Sequence, residues 1–204
     1  MERQSSSQAR FRRACLAAIV GNVIEFDIPR HEVNFDDMTR LLADAEKDLA
    51  IDDIDAIYRE VEKSKEILFL TDNAGEIVFD KILVGELKRL GRRVTVAVKG
   101  GPILNDATLE DAKLASMHDV ADRIITTGAD AVGMPMPKER SHELVNACGS
   151  TDFVIAKGMG YAETLTETKL KQPHAFLLRT KCNPVAYHFG VQRGKNVAKL
   201  VKPT

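Results

Sequence analysis

Two hydrophobic rhythms divide the chain. Up to about residue 62 the apolar positions recur at helical spacing, with Phe11, Cys15, Leu16 and Ile19 on one face of a helix that ends near Gly21 and Asn22. Further helices are expected over 36–49 and 52–63, each opening on an Asp-Asp pair, and no strand is expected in this part. From Lys65 onward, short apolar runs alternate with amphipathic segments. The pattern predicts strands over 67–71, 93–98, 123–126, 153–156 and 175–178, and helices over 77–90, 109–117, 139–147 and 163–170. Gly91 closes the first of these helices as a C-cap. Strands alternating with helices imply an α/β fold whose sheet is mostly parallel and covered on both faces. The expected organisation is a helical N-terminal segment, residues 1–62, packed on an α/β domain, residues 63–204.

Composition narrows the classes. A chain of 204 residues can bury a substantial core. Its formal net charge is -1, with no long basic run and few aromatic residues, which argues against a nucleic-acid surface built on phosphate neutralisation and base stacking. Cys15, Cys148 and Cys182 are widely separated and form no CxxC pair, so neither a disulfide framework nor a zinc site is indicated. The polar start, residues 1–13, is unlike a signal peptide, and no apolar stretch reaches the ~18 residues of a membrane span. These features predict a cytoplasmic chain without membrane or nucleic-acid partners; homo-oligomeric assembly is left open.

The candidate chemistry lies at the strand ends. The first strand ends in Asp72, Asn73, Gly75 and Glu76, and the second leads into Lys99-Gly100-Gly101-Pro102 and then Asn105-Asp106. Beyond the others come Thr127-Gly128-Ala129-Asp130, Lys157-Gly158-Met159-Gly160 and Arg179-Thr180-Lys181-Cys182-Asn183. Ligands of open α/β sheets bind in the crevice at the carboxyl ends of the strands, so five polar strand ends together imply a site. Asp72, Asn73 and Asp106 offer hard oxygen ligands, which suit Mg, Mn or a similar divalent ion better than zinc. Lys181 and Lys157 are candidates to neutralise phosphoryl oxygens, and Glu76 to orient or deprotonate a metal-bound water. Glycines 75, 100, 101, 158 and 160 permit close backbone approach and positive φ, so that N–H groups can face an anion.

Each of these residues also has an ordinary reading. Asp-Asn after a strand is a common turn, Asn105-Asp106 a common helix cap, and Glu76 an acid favoured in a first helical turn. Lys181 on a loop is normally just solvated. The five histidines, at 31, 118, 142, 174 and 188, show no ligand spacing. Cys182 beside Lys181 reads as a small filler, and Cys15 and Cys148 as core.

In order along the chain, Thr71-Asp72-Asn73-Ala74-Gly75-Glu76, Lys99 to Thr108, Lys157-Gly158 and Lys181-Cys182 resemble the motifs of the damage-control phosphatase family. Its domain is also called the acidic-residue-methyltransferase-like metal-binding domain, and the similarity is closest to the small archaeal and bacterial branch. The resemblance spans residues 11–204. It implies a three-layer α/β/α, Rossmann-like sheet with a helical N-terminal part, and metal-dependent hydrolysis of small phosphorylated metabolites such as sugar phosphates. It also implies metal coordination by Asp72, Asn73 and Asp106, with Lys181 on the phosphate side and Mn, Co, Ni or Mg as the metal. Taken together with the reading of the residues above, Asp72, Glu76 and Lys181 are expected to be catalytic, and Asn73, Gly75, Lys157, Gly158 and Lys181 to contact substrate. Two departures stand out. Relatives commonly carry an asparagine where this chain has Tyr161, and their N-terminal helical region is longer, so this chain is expected to begin partway through it.

Three other functions compete with this one. An aspartyl-phosphate mechanism needs a second aspartate two residues after Asp72, where this chain has Ala74. A methyltransferase lacks a Gly-x-Gly-x-Gly loop after the first strand. A non-catalytic binder of metal and phosphometabolite remains as the alternative.

Overall fold

The computed structural model describes residues 6–21, 38–167 and 170–203. Its centre is a seven-stranded sheet: β1 (Leu49–Asp52), β2 (Glu66–Leu70), β3 (Arg93–Val98), β4 (Arg123–Thr126), β5 (Phe153–Lys157), β6 (His174–Arg179) and β7 (Asn196–Val201). The spatial order is β1-β7-β6-β5-β2-β3-β4. Strands β2 to β6 are parallel, β7 runs antiparallel to β6, and β1 runs parallel to β7. The five strands expected from the sequence are all present.

Alternation along the strands divides the core in two. Ile67 and Phe69 of β2, Val94, Val96 and Val98 of β3, and Ile155 of β5 face one layer. There they meet α1 (Ser7–Gly21), α3 (Ile54–Lys63) and α4 (Ile77–Arg89). Leu68 and Leu70, Ala97, and Val154 and Ala156 face the other layer. That side carries α6 (His142–Ser150), α7 (Gly158–Glu167) and α8 (Asn183–Phe189). Strands apolar on both faces are what a covered parallel sheet requires, and the result is the three-layer α/β/α architecture. Helix α1 is buried almost all round, from Phe11 through Ala14 to Gly21, and packs on α4 as well as on the sheet.

Helix ends obey local chemistry. Beyond Arg89, Gly91 (φ 76°) donates to Lys88 O and Arg92 to Leu87 O, which makes Gly91 the C-cap expected for it. α5 (Leu109–Leu114) is capped by Thr108, whose N–H and hydroxyl both donate to Asp111. The cap is therefore not Asn105-Asp106, and Asp106 is released from that duty. The Asp-Asp pair at the start of α3 also divides its work. Asp52 accepts from Ile54 N at 3.3 Å, whereas Asp53 accepts from Leu200 N at 3.0 Å and ties the helix to β7.

Two strands were not expected. β1 falls inside 1–62, where only helices were anticipated, because four residues with alternate partial exposure leave little periodicity. β7 has its apolar residues interrupted by Lys199 and opens on Asn196. Of the expected helices, that over 36–49 is observed as α2 (Met38–Lys47), with 36–37 outside the described residues. The one over 163–170 begins earlier, at Gly158, and 168–169 lie outside the described residues. Among the described residues no helix is long and apolar enough to cross a membrane.

The topology fixes where chemistry can occur. From β2 the chain winds outward to β3 and β4, then returns to place β5 on the opposite side of β2. This reversal splays the connections leaving β2 and β5 and opens a crevice at their carboxyl ends. Asp72 and Gly158 stand at those two ends.

Candidate active site

The crevice is floored by two backbone segments that pair with each other. After β2, Thr71 extends the sheet by donating both N–H (3.1 Å) and hydroxyl (3.0 Å) to Ala97 O. The loop after β3 folds back, and Ala107 O accepts from Lys99 N at 2.9 Å. Ala107 N then donates to Asp72 O (2.7 Å) and Ala74 N to Asn105 O (2.8 Å), forming a short antiparallel bridge between Asn73 and Asp106. Backbone pairing thus brings the three oxygen-bearing side chains of Asp72, Asn73 and Asp106 to one cleft of about 290 Å³. Leu104, Val132, Met159, Glu163 and Lys181 complete its wall.

Beneath this floor lies a buried ionic cluster. Lys157, fully buried at the end of β5, has its Nζ 2.9 Å from Glu76 Oε2 and 2.8 Å from Asp80 Oδ1. Glu76 is also buried, and its Oε1 accepts a short hydrogen bond from Asn73 Nδ2. A carboxylate can only accept, so this bond fixes the amide: nitrogen points inward and the oxygen is left for the cleft. Lys99, at the end of β3, pairs with Asp106 Oδ2 at 3.3 Å, donates to Gly133 O at 2.8 Å, and lies 4.4 Å from the centroid of the Tyr161 ring.

Four carboxyl groups, Asp72, Glu76, Asp80 and Asp106, therefore face two buried ammonium groups, Lys99 and Lys157, a surplus of two acids. The titration behaviour reflects that surplus. Burial, then Glu76 and Asp106, push the Asp72 carboxyl up to about 8. Burial and Glu76 push Asp80 up to about 7 against the pull of Lys157. Burial also raises Asp106, opposed by Lys99. Burial alone would lower the Lys157 ammonium, but Asp80 and Glu76 outweigh it and hold the group charged. For Lys99, burial outweighs Asp106 and the pKa is lowered.

This environment fits a divalent cation. Such an ion would favour the ionised form of the surplus acids, and the donors around it would be hard oxygens. Among the described residues no three His, Cys, Asp or Glu side chains converge as a metal-binding group. The third oxygen in this candidate set comes instead from the Asn73 amide.

Other expected site residues differ in their placing. Gly158, at φ 75°, packs directly on the Asp72 carboxyl; of the five glycines considered for positive φ it is the one that adopts it. Gly75 is partly exposed on the turn before α4. Lys181 lines the cleft and is half-buried. Lys157 was expected on the phosphate, and Glu76 on a water in the cleft. Both are turned inward, because each is already engaged by buried opposite charge. Tyr161 does not replace an asparagine in the cleft, since it is fully buried among core residues of α6 and α7. Lys99 and Asp80 were not singled out from sequence. Their signals were a lysine ending an apolar strand and an aspartate one turn after Glu76 on the buried face of α4. Four of the histidines lie away from the cleft walls, and His31 is outside the described residues.

A larger groove, about 830 Å³, lies at the opposite end of β6 between Phe176, Phe189, Leu165 and Val201. Two of its lysines, Lys199 and Lys202, are paired with Asp53 and Glu60, and it holds no carboxylate cluster. Convergent polar groups and raised carboxyl pKa values favour the smaller cleft.

Comparison with known proteins agrees on the fold and on the family. A family model described as the damage-control phosphatase ARMT1-like domain matches residues 1–197. Over 192 residues the chain is 42% identical to an uncharacterized protein of Methanocaldococcus jannaschii, covering 92% of this chain and 62% of that protein. Over 193 residues it is 40% identical to a damage-control phosphatase of Archaeoglobus fulgidus, covering 94% of this chain and 66% of that protein. The crystal structure of a DUF89 family protein from Pyrococcus horikoshii superposes with a TM-score of 0.84 at 37% identity, over 95% of this chain and 66% of that one. The chain thus spans a little under two thirds of the length of these relatives.

Proposed function

The chain belongs to the damage-control phosphatase ARMT1-like domain family, and from that premise we propose that it is a metal-dependent phosphatase acting on a small phosphorylated metabolite. The observation that carries the reading is the bridge between Asn73 and Asp106, which sets two carboxylates and an amide oxygen around one small cleft. Asp72, Asn73 and Asp106 would hold a divalent cation (Mn, Co, Ni or Mg), which supplies Lewis-acid charge for a phosphoryl group seated above it.

The chain's own groups do the rest. Lys181 places a positive charge at the cleft wall, where phosphoryl oxygens would gather negative charge during transfer. Glu76 orients the Asn73 amide, and Lys99 steadies Asp106 from below. Gly158 permits the close approach of backbone to Asp72, leaving the carboxyl no room to rotate towards α7. Water adds to phosphorus as the bond to the leaving alcohol breaks, giving inorganic phosphate and the free alcohol. A cleft of about 290 Å³ lies near the small end of ligand pockets and suits a compact metabolite such as a sugar phosphate.

The test is phosphate release from a panel of phosphorylated metabolites after chelation, with Mn, Co, Ni or Mg restored singly. Turnover is expected only with metal, and Asp72→Ala should abolish it. Metal binding without release from any panel member would support the non-catalytic alternative; undiminished release by Asp72→Ala would reject the site.

A further inference from the structure

Asp80 is a carboxylate in an apolar setting. It lies one turn after Glu76 on the face of α4 that also carries Ile77, Leu83, Val84 and Leu87, and it is 0% exposed. Among the described residues neither of its oxygens has a hydrogen-bond partner of regular geometry, so its tie to the fold is the Lys157 ammonium 2.8 Å away. A buried charge held this way is costly. Lys157 already has Glu76 as a counter-ion, and one carboxylate neutralises one ammonium. The second acid is surplus for stability.

Geometry explains what the surplus acid does. Lys157 directly precedes Gly158, which packs on the Asp72 carboxyl, yet its ammonium is bonded to Glu76 and Asp80. Asp80 is fully buried and does not line the cleft, so it holds the ammonium on the buried side. With Glu76 Oε2 held by Lys157, Oε1 takes the Asn73 nitrogen, and among the described residues the Asn73 oxygen is left without a partner. An ammonium released from Asp80 has two carboxylates to choose from, and one of them is the Asp72 ligand itself.

We propose that Asp80 is a positioning residue of the cation site: it anchors Lys157 beneath Glu76, so that the ammonium does not compete for Asp72 and the Asn73 oxygen faces the cleft. The proposal rests on the metal-site reading above and goes beyond it by assigning a role to a residue that touches neither metal nor substrate.

The experiment is calorimetric titration of the purified, metal-free chain with Mn, which needs no substrate and no turnover. Asp80→Asn keeps the shape of the side chain and removes its charge. It is expected to weaken Mn binding about 10–100-fold, the usual effect of losing a group that orients a ligand. The thermal midpoint of the metal-free protein should not fall, because a costly buried charge has gone. In a Lys157→Met background, where there is no ammonium to anchor, adding Asp80→Asn should change the Mn dissociation constant by less than about twofold. If the wild-type chain binds none of Mn, Co, Ni or Mg, the metal-site reading falls and this inference with it. If wild type binds Mn and Asp80→Asn binds it equally well, the metal site stands and the role of Asp80 is refuted. Should Asp80→Asn not fold, the Lys157→Met pair decides: a further large loss on adding Asp80→Asn overturns the proposal.

Discussion

Gly158→Ala separates backbone strain from steric intrusion at the candidate site. Gly158 has φ 75°, and a Cβ built there would fall inside the Asp72 carboxyl group. Gly91 has φ 76°, yet a Cβ there meets nothing within 4 Å among the described residues, so Gly91→Ala is a matched control for the backbone. A non-glycine residue in the left-handed region costs about 1–2 kcal/mol, and both variants should carry that cost. Intrusion into packed surroundings adds about 1–3 kcal/mol, and Gly158→Ala alone should bear it. For a chain of this size about 2–4 °C of melting temperature is lost per kcal/mol, so Gly158→Ala should melt roughly 2–12 °C below Gly91→Ala. Differential scanning calorimetry of both metal-free variants measures that gap. Because the displaced atoms belong to Asp72, Gly158→Ala should also weaken Mn binding at least about tenfold, while Gly91→Ala leaves it at the wild-type value. A Gly158→Ala protein that melts with Gly91→Ala and binds Mn normally would refute the close packing of α7 on Asp72.

The charge distribution carries two further outcomes. The Asp72 carboxyl is raised to about 8 in the folded chain, above its ordinary value, so the stability it contributes is full at acid pH and lost as pH rises towards 8. Asp72→Asn should therefore gain in thermal midpoint over metal-free wild type as pH goes from 5 to 8, and Mn affinity of wild type should rise by up to about tenfold per pH unit over the same span as the ion displaces a proton; a flat Mn affinity would contradict this. Lys181 is half-buried at the cleft wall, so Lys181→Ala should leave Mn affinity unchanged while lowering kcat/KM for a phosphoester by about 10²–10³-fold. An equal loss of Mn affinity would instead make Lys181 part of the cation site.

How much of this was readable in advance depended on whether an element's character is local. Strands β2, β3, β5 and β6 were legible because each carries buried apolar residues on both faces, a pattern that needs no knowledge of neighbours. β1 was not, because its place in the sheet comes from β7, far away in sequence. Asp48, just before β1, is held by Lys195 at 2.9 Å and by Arg179 at 3.3 Å, and Asn196 donates to Ala45 O at 2.9 Å. These contacts link residues more than a hundred positions apart, and nothing in the run of residues 49–52 announces them.

The candidate site divides along a similar line. Asp72, Asn73 and Asp106 could be picked out singly because polar residues at strand tips are conspicuous, although the bridge that joins them was invisible. Which way a charged side chain turns was not readable, since that is settled by the charge balance of the whole cluster. Glu76 and Lys157 turn inward to pair, and Asp80 and Lys99 complete a group of four acids around two lysines. This imbalance sets stability against binding. Neutralising Asp72 or Asp80 relieves a buried charge and should favour the metal-free fold, yet each change would remove either a proposed ligand or the residue proposed to anchor Lys157. A sequence chosen for stability alone would place apolar residues at both positions. Four acids around two lysines are the feature that the proposed cation site would account for.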